Sequence, residues 1–359
     1  MTIFLFVAGL CLLIIGAEAL VRGASRLATV IGISPLVIGL TVVAFGTSSP
    51  ELAVSIKSAL SGQASIALGN VIGSNIFNVL FILGLSALIV PLNVSQQLVR
   101  LDVPLMIGLS ILVLIFSLDG NLSRTEGVIW VTGLAFYLWL LINQSRRENI
   151  EIKEEYAKEF GSYDGGGWIR NIGFVLCGLG LLVLGSRWLV DSAVSFAKYL
   201  GVSELVVGLT VVAAGTSLPE VVTSIIAAIR GERDIAVGNV VGSNIFNIMG
   251  VLGLASVVAP SGIDVSSAVI GLDIPVMIAA AMACLPIFFT GGVISRLEGV
   301  ALLGYYVTYT LYLVLAASRH DALPRFSAVM LYFVIPLTVL TLMIVVVQET
   351  RRRNKGSPT

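Results

Sequence analysis

Long apolar runs separated by short polar breaks extend over the whole chain. They fall at about 3–21, 34–60, 64–90, 102–118, 124–142, 170–190, 203–229, 234–259, 272–290, 295–317 and 326–348. Each is long enough to cross the hydrocarbon core as a helix. The pattern predicts an all-α polytopic membrane protein with eleven spans. Nothing in the first run resembles a cleaved leader: no Lys or Arg precedes it, no small-residue cleavage site is visible, and Arg22 and Arg26 follow it. It is expected to be a retained span.

Composition agrees. Of 359 residues, 57% are hydrophobic and 12% charged, with a mean hydropathy of +1.01, whereas soluble domains are about 25% charged. The formal net charge is zero, so no nucleic-acid partner is expected. Cys11, Cys177 and Cys284 all lie in apolar runs and are expected to be small buried hydrophobes without disulfides. With the N-terminus outside, 15 Lys and Arg fall on the inner side and 6 on the outer. The positive-inside bias then puts the N-terminus outside and the C-terminus in the cytoplasm, as expected of a protein of the cytoplasmic membrane.

The chain is written twice. GLTVVAFGTSSPELAVSIKSALSGQASIALGNVIGSNIFN at 39–78 aligns with GLTVVAAGTSLPEVVTSIIAAIRGERDIAVGNVVGSNIFN at 208–247, offset by 169, with 26 identities in 40 positions. LDVPLM at 101–106 also matches LDIPVM at 272–277, and LSRTEG at 122–127 matches ISRLEG at 294–299. Five spans per copy is an odd number, so the second copy must enter from the opposite side. The expected architecture is therefore two inverted-topology five-helix repeats forming a ten-helix core, 1–142 and 170–317. Secondary transporters use this plan, with substrate held near the midplane at broken helices. A cytoplasmic linker at 143–169 joins the copies, and 318–359 adds an eleventh span and a basic tail.

Both copies interrupt their second span. Pro50 removes a helical hydrogen bond and disturbs Gly46, so a break is expected between them. The Ala44 and Phe45 carbonyls should then end one half-helix unpaired. Ser48 or Ser49 should cap the next, with Glu51 in its first turn, where the helix dipole favours an anion. A mid-span carboxylate costs roughly 3 kcal/mol on insertion scales. The second copy repeats that cost as Gly215-Thr216-Ser217-Leu218-Pro219-Glu220. In the following span, Asn70, Ser74 and Asn78 share one helical stripe, as do Asn239, Ser243 and Asn247. Gly69 and Gly73, with Gly238 and Gly242, permit close packing.

The predicted centre offers carboxylates, hydroxyls, amide oxygens and main-chain carbonyls. Such donors suit hard cations. Softer metals want Cys or His, and the lone His320 lies in an outer loop. Two glutamates would be neutralised by one calcium or two sodium ions, so occupancy by one should exclude the other. An intramembrane hydrolase would need an HExxH motif, an intramembrane His or an aspartate dyad, and none is visible. A channel usually builds carboxylate rings from several subunits.

GTSSPE at 46–51, GTSLPE at 215–220, and GNVIGSNIFN and GNVVGSNIFN at 69–78 and 238–247 resemble the two alpha-repeats of sodium/calcium exchangers, of the cation/calcium exchanger superfamily. The resemblance covers about residues 1–317. It implies a non-enzymatic antiporter exchanging sodium for calcium by alternating access, with the first and sixth spans sliding over the rest. It implies no cofactor, and a single chain is expected to suffice for transport. The implied ligands are Glu51 and Glu220, hydroxyl or backbone oxygens of Thr47, Ser48, Thr216 and Ser217, the Ala44 and Ala213 carbonyls, and Ser74, Asn78, Ser243 and Asn247. Asn247 stands where potassium-requiring relatives carry an acid, which implies no potassium dependence. Proton/calcium exchangers typically show GNxxE where this chain has GTSxPE, which favours sodium. Proton-coupled antiport and other divalent cations such as manganese remain the alternatives.

Other polar positions have plainer expectations. Asn70, Asn75, Asn239 and Asn244 could be interhelical glue as readily as ligands. Glu18 with Arg22, and Arg187 with Asp191, are expected as i,i+4 pairs within their own helices. Asp102, Asp273, Arg124, Glu126, Arg296 and Glu298 are expected to be interfacial caps, and the tail at 351–355 a topology anchor.

Overall fold

The computed structural model describes residues 2–147, 167–199, 215–289, 291–318, 320–336 and 343. Among the described residues, eight helices are long and apolar enough to span a membrane. They are α1 (Thr2–Ile31), α4 (Ala64–Ile89), α5 (Leu98–Ser117), α6 (Arg124–Arg147), α7 (Trp168–Tyr199), α9 (Arg233–Val258), α10 (Val269–Phe289) and α11 (Arg296–Ala317). A ninth span is α2 (Pro35–Thr47) joined to α3 (Ser49–Leu60) with a 46° bend. Eleven spans were expected, and nine are complete among the described residues. The seventh expected span is described only from Gly215, mainly as α8 (Leu218–Ile229). Of the eleventh, α12 (Leu323–Val329) and a π-helical turn, Met330–Val334, are described. Most of the linker and the basic tail lie outside the described residues.

Glycines bring the two halves into backbone contact. A Cβ on Gly16 would stand 2.9 Å from Gly178 O, and one on Gly9 would stand 2.8 Å from Gly185 O. Residue numbers rise along α1 as they fall along α7, so the equivalent first helices of the halves lie antiparallel. That is what inverted repeats require. Gly84 of α4 meets Gly299 of α11, and Gly127 of α6 meets Gly253 of α9, so each half's third span is gripped by the other half's fifth. Gly238 and Gly242 pack on Leu36 and Leu40 of α2. Gly69 and Gly73 meet nothing within 4 Å among the described residues.

Short antiparallel ribbons exchange in the same sense. β1 (Leu92–Asn93) pairs with β4 (Val293–Ile294), and β2 (Asn121–Leu122) with β3 (Ile263–Asp264). Helix α11 begins with a capping box, Ser295 with Glu298, and α6 makes the same bonds between Ser123 and Glu126. Arg124 donates to the Ala259 carbonyl and Arg296 to that of Ile89, each covering a helix end of the opposite half.

Three expectations are corrected. Asp102 is fully buried and accepts from Tyr137 Oη at 2.8 Å; Asp273 accepts likewise from Tyr309 at 2.8 Å. Both therefore tie adjacent spans together and are not interfacial caps. Glu18 does pair with Arg22, but it also crosses to Arg230 of the second half at 2.6 Å. The three cysteines are free, yet Cys11 and Cys177 face outward and only Cys284 is buried.

Candidate cation-binding site

The site forms where the broken spans meet α4 and α9, the most buried of the long helices. The break in the first copy is narrower than the sequence suggests. Ser48 alone leaves helical geometry, at φ −80° and ψ 7°. Pro50 occupies the first turn of α3, where its missing N–H costs nothing, and Glu51 follows beside the positive helix end. No side-chain cap forms. Ser49 Oγ turns back to donate to Gly46 O at 2.7 Å, while Ser48 Oγ is used elsewhere. Nor is the Ala44 carbonyl bare, since it accepts the Ser48 N–H at 3.0 Å and lies 3.4 Å from Thr47 Oγ1.

The halves interlock through their acids. Ser48 Oγ donates to Glu220 Oε1 at 2.9 Å, and Ser217 Oγ donates to Glu51 Oε1 at 2.9 Å. Ser217 Oγ also lies 3.3 Å from Ser74 Oγ. Both glutamates are buried, at 0% and 1% exposure. The Thr216 and Thr47 hydroxyls sit close to Glu51 and Glu220 respectively. The structure thus brings Glu51, Glu220, Ser48, Ser217, Thr47, Thr216 and Ser74 together. Ala213 lies outside the described residues.

Asn78 and Asn247 each begin a π-helical turn, Asn78–Leu83 and Asn247–Leu252. Such turns often mark functional positions within helices. Asn70 and Asn239 prove to be braces. Their amides donate to the main-chain oxygens of Glu51 and Glu220, at 3.2 and 3.4 Å, and to Ser55 and Ser224 Oγ, each at 2.9 Å. Asn239 Oδ1 also accepts from Thr47 Oγ1 at 3.1 Å. Sequence reasoning missed Ser55, Ser224, Met106 and Met277 as parts of this framework. The matched LDVPLM and LDIPVM segments were the available signal for the methionines.

Six buried side-chain oxygens here have no hydrogen-bond partner among the described residues: Glu51 Oε2, Glu220 Oε2, Asn78 Oδ1, Asn247 Oδ1, Ser243 Oγ and Thr216 Oγ1. Leaving each unsatisfied costs about 1–3 kcal/mol, and a bound ion is one thing that satisfies such groups. Among the described residues no three His, Cys, Asp or Glu side chains gather as a metal site, so charge rests on the two glutamates and the remaining donors are neutral oxygens.

A helical membrane bundle with a buried, acidic, all-oxygen centre places this chain among membrane cation transporters. Residues 1–143 and 170–315 match the family described as sodium/calcium exchanger protein. The chain belongs to that family, and is a multi-pass membrane cation/calcium antiporter. CaxA of Alkalimonas amylolytica is 41% identical over 313 residues, covering 86% of this chain and 97% of its own. The sodium/calcium exchanger MaX1 of Methanosarcina acetivorans is 34% identical over 337 residues, covering 84% and 95%. The solved sodium/calcium exchanger from Methanococcus jannaschii superposes with a TM-score of 0.73 at 29% identity, covering 85% of this chain and 96% of that one.

Proposed function

We propose that this antiporter exchanges sodium for calcium across the cytoplasmic membrane, the two ions competing for Glu51 and Glu220. The observation that carries this reading is the reciprocal Ser48–Glu220 and Ser217–Glu51 bonding. It holds one oxygen of each acid and leaves the other buried, without a hydrogen-bond partner among the described residues. Two ionised carboxylates balance one calcium or two sodium ions, so each cation must leave before the other binds. Thr47, Ser48, Thr216, Ser217, Ser74, Ser243, Asn78, Asn247 and the Ala44 and Ala213 carbonyls complete the proposed shell. The relatives named sodium/calcium exchanger support sodium as the driving ion.

Alternating access would come from α1 and α7 moving together against the other helices, with the N-terminus outside and the C-terminus in the cytoplasm. The glycine-lined contact between these two helices supports their moving as one body. The test is radiocalcium uptake by purified protein in liposomes, with sodium, potassium and proton gradients imposed one at a time. Uptake should follow the sodium gradient, persist with the proton gradient collapsed, and be indifferent to potassium. Uptake that follows only the proton gradient overturns sodium coupling in favour of proton/calcium antiport.

A further inference from the structure

Asn75 and Asn244 lie one position off the ligand stripe and face each other across the pseudo-twofold axis. Asn75 Nδ2 donates to Asn244 O at 3.3 Å and to Met277 Sδ at 3.8 Å. Asn244 Nδ2 donates to Asn75 O at 3.3 Å and to Met106 Sδ at 3.5 Å. Main-chain carbonyls and thioethers can only accept, so both hydrogens of each amide are committed. The NH2 end of each is thereby fixed, and Oδ1 is the end turned to the next residue.

That orientation propagates. Asn247 Nδ2 donates to Asn75 Oδ1 at 3.1 Å, and Asn78 Nδ2 donates to Asn244 Oδ1 at 3.0 Å. With their NH2 groups held by an acceptor, Asn247 and Asn78 must present Oδ1 on the opposite side. Those two oxygens are buried and have no hydrogen-bond partner among the described residues. A primary amide is nearly isosteric with its own flipped form, so helical spacing places Asn78 and Asn247 but does not decide which end faces the ions.

We infer that Asn75 and Asn244 are positioning residues that fix the amide polarity of Asn247 and Asn78, so that each turns a carbonyl oxygen, never an N–H, toward the transported cation. This rests on the cation site proposed above. Without Asn75, Asn247 is free to flip and aim a positively polarised N–H at the ion.

An aspartate at 247 needs no such control, because either orientation presents oxygen. Asn75→Leu, which cannot accept a hydrogen bond, is therefore compared in two backgrounds, Asn247 and Asn247→Asp. The readout is the calcium concentration giving half-maximal thermal stabilisation of the purified full-length protein, alongside radiocalcium uptake. Asn75→Leu should raise that concentration about tenfold or more with Asn247 present, and less than about twofold with Asn247→Asp. Equal losses in both backgrounds, or no loss in either, overturn the inference, because a packing role would not be rescued at residue 247. Asn75→Ala serves in the same cycle if Asn75→Leu does not fold, and Asn244→Leu with Asn78→Asp repeats the test in the other half. Glu51→Gln separates the two readings: retained calcium stabilisation overturns the site itself, whereas its loss beside an additive Asn75 cycle overturns only the positioning role.

Discussion

Ser48 of the first repeat donates its hydroxyl hydrogen to Glu220 of the second at 2.9 Å, and the inverted copy returns the bond from Ser217 to Glu51 at the same distance. Neither repeat therefore builds a complete centre alone. Ser48→Ala or Ser217→Ala removes both a donor that orients a carboxylate and a candidate ligand oxygen. A lost hydrogen bond to a charged group is worth about 1.5–3 kcal/mol. Each variant should thus raise the half-saturating calcium concentration at least about tenfold in radiocalcium uptake. An unchanged concentration in either variant would separate the serines from the site.

Glu51→Gln and Glu220→Gln keep shape and remove charge. Either leaves a centre with one carboxylate, which cannot balance a calcium ion in a buried setting where an unpaired charge is costly. Exchange should fall to background in both variants, while detergent-purified protein remains folded by its thermal transition. Normal turnover in either one would mean that the ions bind elsewhere.

The doubled motif made much of this legible. Twenty-six shared residues at a fixed offset are enough to place two broken spans, two acids and two Asn/Ser stripes, because period and charge act locally along a helix. What stayed hidden depends on which surfaces meet. The sequence placed Asp102 at a span end, where a cap is the usual role; only the packing of α5 on α6 reveals that Tyr137 covers it. The Ala44 carbonyl looked bare because proline and glycine suggested a wide break, whereas one non-helical residue, Ser48, absorbs the bend. Helical spacing pairs Glu18 with Arg22 alone, because the contact with Arg230 of the other repeat depends on tertiary packing.

Glycine placement gives a paired prediction on α7. A Cβ on Gly178 would stand 2.6 Å from Leu20 N and 2.7 Å from Gly16 O, both backbone atoms that cannot swing aside. Gly180, two residues on, is exposed and has no neighbour within 4 Å among the described residues. Gly178→Ala should cost about 1–3 kcal/mol through forced separation of α1 and α7 and slow transport. Gly180→Ala should be neutral or slightly stabilising, since alanine is the better helix former. Thermal unfolding of the two variants side by side checks this, and equal transitions would mean that the helices are not in backbone contact.

The Asp102–Tyr137 pair is the strongest test of the corrected reading of the span ends. Asp102 is fully buried and held by Tyr137 Oη at 2.8 Å and Gln97 Nε2 at 3.3 Å. Tyr137→Phe takes away the shorter bond and strands a carboxylate oxygen out of water, at an expected cost of about 1–3 kcal/mol in unfolding free energy. The same change should be nearly silent in an Asp102→Leu background, where no oxygen is left to strand. The mirror substitution, Tyr309→Phe, should cost less, because Asp273 is only partly buried and can turn to solvent. Denaturation of the four proteins in the Asp102/Tyr137 cycle isolates the coupling. A Tyr137→Phe loss that is as large without Asp102 as with it would assign the phenol to packing, and the acid would return to the interfacial role its place in the sequence suggests.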